Sequence, residues 1–338
     1  MKVLLYLENM KMMSASGIGR ALAQQQIALK ENNVDFTLNK HDQYDIAHIN
    51  SYTSGSYRLL KKLQKKGIKV IVHAHSTHED LKNSFRLIFL IQPLYNFLID
   101  RMYSHADLII TPTPYSKSLI ENYKKVHRPI IALSNGIVLK DYEPNENYVK
   151  EFKEYFNIKE GEKVVIGVGF YFKRKGIDDF IEVAKQFPDV KFIWFGHLNK
   201  ILTSSYINRC IRHRSKNVIL PGYIKGNIIK GAYQYASCML FPTREETEGI
   251  VVLEALASRC PLIVRDHAVF NPWLTDKLNC YKGKNINEFK ELVNHCLNNR
   301  DEKMLDKGYE VAKERDLKII GSKLKDIYQD VLNNKIPN

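Results

Sequence analysis

Close cysteine pairs are missing from this chain: Cys210, Cys238, Cys260, Cys280 and Cys296 are scattered, with no CxxC among them. That spacing indicates neither a zinc ribbon nor a disulfide framework, and it fits reduced cytoplasm. Long apolar runs are missing too. The most apolar stretch, Leu87 to Ile99, is broken by Gln92 and Pro93 and is too short to span a bilayer. The opening MKVLLYLENMKMM has a basic start, but its apolar run is short and Glu8 interrupts it, so it reads as a first strand and not as a signal peptide. A zinc finger, an RNP-like aromatic motif and a basic heptad region are also absent. The net charge of +14 still asks for a polyanionic partner or surface, and without a nucleic-acid motif an anionic lipid surface fits better.

What is present is regular alternation. Over 338 residues, 44% of them hydrophobic, there is material for two packed domains. Buried-strand patterns such as KVLLYL, DIAHIN, KVIVHAH and ADLIITPT alternate with helical ones, then a polar stretch from Val138 to Phe152 reads as a linker. A second series begins after it, with KVVIGVGF, VKFIWFG, NVILPGY, CMLFPT and PLIVRD as its strands. Such βαβ order implies α/β architecture: two doubly wound parallel sheets, with ligands at the C-terminal strand ends around a shared cleft. The tail from Leu317 reads as a last amphipathic helix.

Basic residues gather beside apolar ones in the first half. Arg58, Lys61, Lys62, Lys65 and Lys66 stand among Leu59, Leu60 and Leu63, and the apolar run containing Phe85, Leu87 and Phe89 comes soon after. Two readings are open: a helix lying on an anionic membrane, or a solvated helix face followed by a core helix.

Four stretches are candidates for chemistry. SASGIGRAL opens a helix with Gly17 and Gly19, which either admits an anion to backbone N–H groups or simply punctuates a turn. It is neither a dinucleotide fingerprint, since Leu22 stands where the third glycine belongs, nor a Walker loop. GVGFYFKRKGIDDF places Lys173, Arg174 and Lys175 between Gly169 and Gly176, on a strand-to-helix loop suited to a pyrophosphate or to solvent. VHAHSTHED delivers His73, His75 and His78 to a strand end. No metal motif accompanies them, so one histidine is expected to hydrogen-bond a substrate. In TREETEGIVVLEALAS, seven residues stand between Glu246 and Glu254, and the second acid lies inside an apolar helix where a carboxylate needs a cleft, a cation or a ligand.

Together, KRKG, PGY at Pro221 to Tyr223 and PTREETEGIVVLEALAS resemble the second-domain signature of the family-4 retaining glycosyltransferases, the Glu-x7-Glu group with the GT-B fold. SGIGRAL, HAHS and LSNGI are similar to that family's first loop, active-site histidine strand and interdomain turn. Further stretches, among them FYFKRKGIDDF, FIWFGH and PGYIKG, resemble the branch that adds a second hexose to monoglucosyl-diacylglycerol.

The resemblance implies an N-terminal acceptor- and membrane-binding domain over 1–140, completed by a helix at 318–338, and a UDP-sugar-binding domain over 141–317. It implies that Glu246 bonds the donor sugar, Glu254 the ribose hydroxyls, and Lys175 the diphosphate, with Lys173 and Arg174 nearby. Thr247, Glu248 and Gly249 would offer backbone N–H groups, Tyr223 would sit near the uracil, His75 near the reacting carbon, and Gly17 and Gly19 beside phosphates and acceptor. Glu254 would then find its partners in substrate and not in protein. The family's arginine after the glycine equivalent to Gly169 is here Phe170, for which Lys173 or Arg174 could substitute. The expected reaction is retaining transfer of an α-hexose, glucose or galactose, from a UDP-sugar to monoglucosyl-diacylglycerol. It needs no metal or cofactor and runs on a peripheral enzyme at the cytoplasmic face of the membrane. A family-4 enzyme of capsule or teichoic-acid synthesis is the alternative.

Overall fold

In a computed structural model, which describes residues 1–10, 16–82, 84–86 and 88–335, the chain divides into two units. The first comprises residues 1–80, 89–138 and the chain from Arg315 onward; the second comprises 81–88 and 139–314.

The first unit is built on six parallel strands, β1 (Lys2–Tyr6), β2 (Asp35–Thr37), β3 (Ile46–Ile49), β4 (Lys69–His73), β5 (Leu108–Thr111) and β6 (Ile130–Ala132), in the order β2-β1-β3-β4-β5-β6. Its central strands are aliphatic runs covered on both faces, as a parallel sheet demands: Val3, Leu4, Ile46, Ala47, Val70, Ile71, Ile109 and Ile110 are all buried. The helices are α1 (Gly17–Glu31), α2 (Ser54–Gln64), α3 (Ile88–Tyr103), α4 (Pro114–Glu121) and, from the far end of the sequence, α12 (Leu317–Leu332). Gly321 lets α12 press against α1, because a Cβ there would stand 2.2 Å from the Ala28 carbonyl oxygen. The tail is tied in just before this helix: Ile137 N–H donates to Arg315 O and Leu317 N–H to Ile137 O, both at 2.9 Å.

The second unit repeats the plan with β7 (Val164–Val168), β8 (Lys191–Phe195), β9 (Val218–Gly222), β10 (Cys238–Phe241), β11 (Leu262–Arg265) and β12 (Tyr281–Gly283), ordered β12-β11-β10-β7-β8-β9 and all parallel. Phe180, Phe192, Trp194 and Phe289 fill its core. Around the sheet lie α5 (Glu146–Tyr155), α6 (Ile177–Ala184), α7 (Ser205–Arg212), α8 (Asn227–Tyr235), α9 (Ile250–Ala257), α10 (Ile286–Asn298) and α11 (Glu302–Lys313).

Two sequence readings change. The polar stretch from Val138 to Phe152 is not simply a linker: it holds a 3-10 turn at Leu139–Tyr142 and most of α5, whose Asn145 side chain accepts from Asn147 and Tyr148 N–H and whose Phe152 is fully buried. The edge strands β2 and β12, each three residues long, were too short to show an alternation pattern.

Candidate active site

The second unit gathers its chemistry at the C-terminal ends of β7 and β10. After β7 the chain forms a 3-10 turn, Lys173–Lys175, and enters α6 through Gly176. Glycine is required there: its φ is +77°, and a Cβ would meet the Pro242 carbonyl oxygen at 2.4 Å. After β10, Thr243 and Arg244 bind this turn from the other side. Arg244 N–H and Thr243 Oγ1 donate to Arg174 O at 2.6 and 3.2 Å. The Arg244 guanidinium is itself fixed by Asp178 at 2.8 Å and Asp179 at 2.6 Å, and Arg265 also pairs with Asp179.

This clamp brings Lys175 onto Glu246, whose carboxylate accepts from Nζ. Glu246 is only 8% exposed. Burial pushes its carboxyl up, but Lys175 first, then Arg174 and the Thr247 N–H, outweigh burial and leave its pKa below the ordinary value. Arg174 is seated by Ser84, whose Oγ accepts from Nε at 2.8 Å, and by the Glu245 carbonyl at 3.1 Å. Lys173 turns away, its Nζ lying 5.1 Å from the Tyr206 ring centroid. Of the two cations considered for the position of the absent family arginine, Arg174 is therefore the one beside Glu246. Phe170 packs against Phe172, ring centroids 5.5 Å apart.

Glu254 lies on α9, 2% exposed, with Tyr233 Oη donating to its Oε2 at 2.8 Å. The expectation that its partners come from substrate alone is thus corrected: α8 supplies a protein hydroxyl, because a carboxylate in an apolar helix needs a donor before any ligand arrives. Thr247, Glu248 and Gly249 form the loop into α9, with Gly249 at φ +86° as its N-cap and Glu248 buried. Tyr223 is exposed beyond β9, with Lys225 Nζ 5.5 Å from its ring.

The first unit holds a second cluster. His75 follows β4, is partly exposed, and lies stacked on His73, which is stacked on His48, with centroids 4.1 and 5.2 Å apart. Burial brings His48 and His75 down to about 3 and holds His73 well below its ordinary value, so all three rings are neutral at physiological pH. Gln25, Asn50 and Tyr328 bond to them, none of which the sequence had singled out. His78 instead pairs with Asp100 at 2.9 Å and stacks on Tyr123. Gly17 begins α1, and Gly19 N–H donates to the Ser16 side chain at 3.2 Å. Among the described residues no group of His, Cys, Asp or Glu could hold a metal ion.

The basic and apolar surfaces also belong to the first unit. Arg58, Lys62 and Lys66 lie along one face of α2 and just beyond it, and line a cavity of about 670 Å³ with Lys40, Leu59 and Tyr6; Lys61 and Lys65 do not line it. The helix α3 buries Tyr95, Ile99, Met102 and Tyr103 and exposes Phe89, Leu90, Ile91, Leu94 and Phe97, Phe89 to 65%. This helix therefore combines a core face with an apolar face exposed to solvent. Phe85, expected on that surface, is instead half-buried edge-to-face against Phe172, centroids 4.8 Å apart, because its neighbours Ser84 and Arg86 are bonded within the second unit, to Arg174 and to Leu202 O. Leu87 lies outside the described residues. No helix among the described residues is long and apolar enough to cross a membrane.

Comparison with known proteins bears on both units. Residues 149–315 match the family model of glycosyl transferases group 1, and residues 28–141 match glycosyltransferase family 4. The processive diacylglycerol alpha-glucosyltransferase of Acholeplasma laidlawii is 45% identical over 335 residues, covering 99% of this chain and 100% of its own. An alpha-galactosylglucosyldiacylglycerol synthase of Streptococcus pneumoniae is 23% identical over 82% of this chain and 75% of its own. The crystal structure of Anabaena Alr3699/HepE in complex with UDP-glucose matches with a TM-score of 0.77 at 13% identity, covering 98% of this chain and 100% of that one.

Proposed function

Since the chain belongs to the GT-B glycosyltransferases that join a family 4 domain to a group 1 domain, we propose that it transfers an α-linked glucose from UDP-glucose to monoglucosyl-diacylglycerol, with retention of configuration. The observation that carries the donor half is the part-buried Lys175–Glu246 pair with Arg174 beside it. A diphosphate needs cations and a sugar needs hydroxyl acceptors, and this pair offers one of each at a single point. On donor binding, Lys175 and Arg174 turn their charge to the diphosphate and stabilise it as it leaves. Glu246 accepts from sugar hydroxyls. Glu254, braced by Tyr233, accepts from the ribose. With this counter-charge in place, the reaction needs no metal ion.

The first unit is the acceptor and membrane half of this reading. His75 contacts the sugar near the reacting carbon, with Gly17 and Gly19 near the phosphates and acceptor. In this reading the solvent-exposed apolar face of α3 enters the interface of an anionic bilayer while Arg58, Lys62 and Lys66 meet headgroups, as for a peripheral enzyme acting at the cytoplasmic face. Glucose is preferred to galactose because the glucosyltransferase relative matches over the full chain at nearly twice the identity of the galactosyl one.

The test is product analysis by mass spectrometry. UDP-glucose and UDP-galactose are offered separately, with monoglucosyl-diacylglycerol in anionic vesicles, with and without chelator. A dihexosyl lipid from UDP-glucose, insensitive to chelator, is expected. UDP release without that lipid would sink the acceptor, and the same lipid from UDP-galactose alone would sink the donor.

A further inference from the structure

The histidine cluster is one end of a buried chain of hydrogen bonds that runs across the first unit. Tyr328 Oη on α12 is 2.7 Å from His48 Nδ1, and His48 Nε2 is 3.2 Å from His73 Nδ1. Gln25 Nε2 on α1 is 3.0 Å from His73 Nδ1 and 2.9 Å from Asn50 Oδ1, while Asn50 Nδ2 donates back to Gln25 Oε1 at 3.0 Å. Asn50 Oδ1 is also 2.7 Å from His75 Nε2. Gln25, His48, Asn50, His73 and Tyr328 are each at most 4% exposed.

The orientation of the Gln25 and Asn50 side-chain amides, each bonded to the other, decides the donors in this chain. An amide nitrogen only donates, so Gln25 Nε2 gives one hydrogen to His73 and the other to Asn50. His73 Nδ1 is then an acceptor, so that ring carries its proton on Nε2. An amide oxygen only accepts, so at the other end the His75 proton sits on Nε2. A neutral imidazole with its proton on Nε2 keeps its lone pair on Nδ1. Gln25 on α1, through Asn50, thus sets the tautomer of His75, the ring that follows β4.

We propose that Asn50, braced by Gln25, is a positioning residue that locks His75 in a single neutral tautomer, proton on Nε2 and lone pair on Nδ1. Its bearing on the reaction rests on the reading of His75 given above. A fixed lone pair can accept from a hydroxyl of the donor sugar or the acceptor, whereas a mixture of tautomers would present the wrong face part of the time.

The test uses the full chain labelled with ¹⁵N-histidine, with the His75 signals assigned by their loss in His75→Ala. Near neutral pH the wild type should show a protonated Nε2 and an unprotonated Nδ1. Asn50→Ala should mix the tautomers. Asn50→Asp, which keeps the shape and sets a carboxylate against His75 Nε2, should keep the Nε2 proton and draw a second onto Nδ1; its folding is checked by circular dichroism. Both variants should lose about 10-fold or more in kcat, on the scale of supporting hydrogen bonds to catalytic histidines, with donor KM little changed. Wild-type His75 protonated on Nδ1, or a His75 spectrum unmoved in both variants, would overturn the lock. Undiminished kcat in His75→Ala would overturn the catalytic reading of His75 while leaving the spectra to judge the lock on their own.

Discussion

Lys175 and Glu246 are ion-paired although 71 residues separate them in the chain. The pair exists because Arg244 and Thr243 bind the 3-10 turn after β7 to the loop after β10. That contact concentrates charge at one part-buried point, and its removal should be felt in binding, turnover and pH response alike.

Removing the cation should cost the reaction more than it costs the fold. For Lys175→Ala we expect kcat to fall by about 10²- to 10³-fold, the scale on which single charge-stabilising groups act in active sites. UDP affinity measured by calorimetry should fall as well. Wild-type kcat in this variant would mean that the diphosphate is held elsewhere.

The pair also has a pH signature. Glu246 titrates below its ordinary 4.5, since Lys175 and Arg174 outweigh the cost of burial. A carboxyl depressed on folding adds stability that is fully present above the unfolded pKa and is lost as pH falls through the folded one. Urea denaturation of the wild type and Glu246→Gln should therefore differ at neutral pH and converge below about pH 4.5. A gap that stays constant into acid would contradict this.

Tyr233→Phe deletes a hydroxyl and little else. The Glu254 carboxylate then loses a 2.8 Å hydrogen bond in a buried setting. We expect a loss of about 1.5–3 kcal/mol without ligand, the range for bonds to charged groups, and a smaller loss with saturating UDP if ribose hydroxyls take over. Thermal denaturation with and without UDP separates the two; equal losses would argue that the ribose does not reach Glu254.

Gly176→Ala forces a Cβ toward Pro242 O at a left-handed φ of +77°. Destabilisation of about 1–3 kcal/mol is expected from backbone strain, together with weaker UDP binding because the Lys173–Lys175 turn must shift. Chemical denaturation and calorimetry check both.

Membrane attachment should divide into two separable parts. Replacing Lys62, Lys65 and Lys66 by Glu should release the protein from anionic vesicles, at about 1 kcal/mol for each positive charge lost, and the loss should be masked at high salt. Leu90→Ser with Leu94→Ser, on the exposed face of α3, should weaken binding at every salt concentration. Vesicle co-sedimentation reads both, and unchanged binding in the two variants would place the interface elsewhere.

Much of this molecule was legible in its sequence. Aliphatic runs such as KVLLY and VVIGV are covered on both faces in parallel sheets, so they announced themselves as strands, and Glu254 stood out because an acid in an apolar helix demands an explanation. Local chemistry was enough for these, since periodicity and residue type act over a few positions. The partners were decided only by tertiary structure. That Tyr233 answers Glu254, that Arg174 and not Lys173 stands beside Glu246, and that Tyr328 on the last helix is bonded to His48 on β3 depend on which strand ends and helices the two sheets bring together. A side chain's charge and shape are written in the sequence, but its neighbour 21 or 280 residues away is set by the folding of the backbone between them.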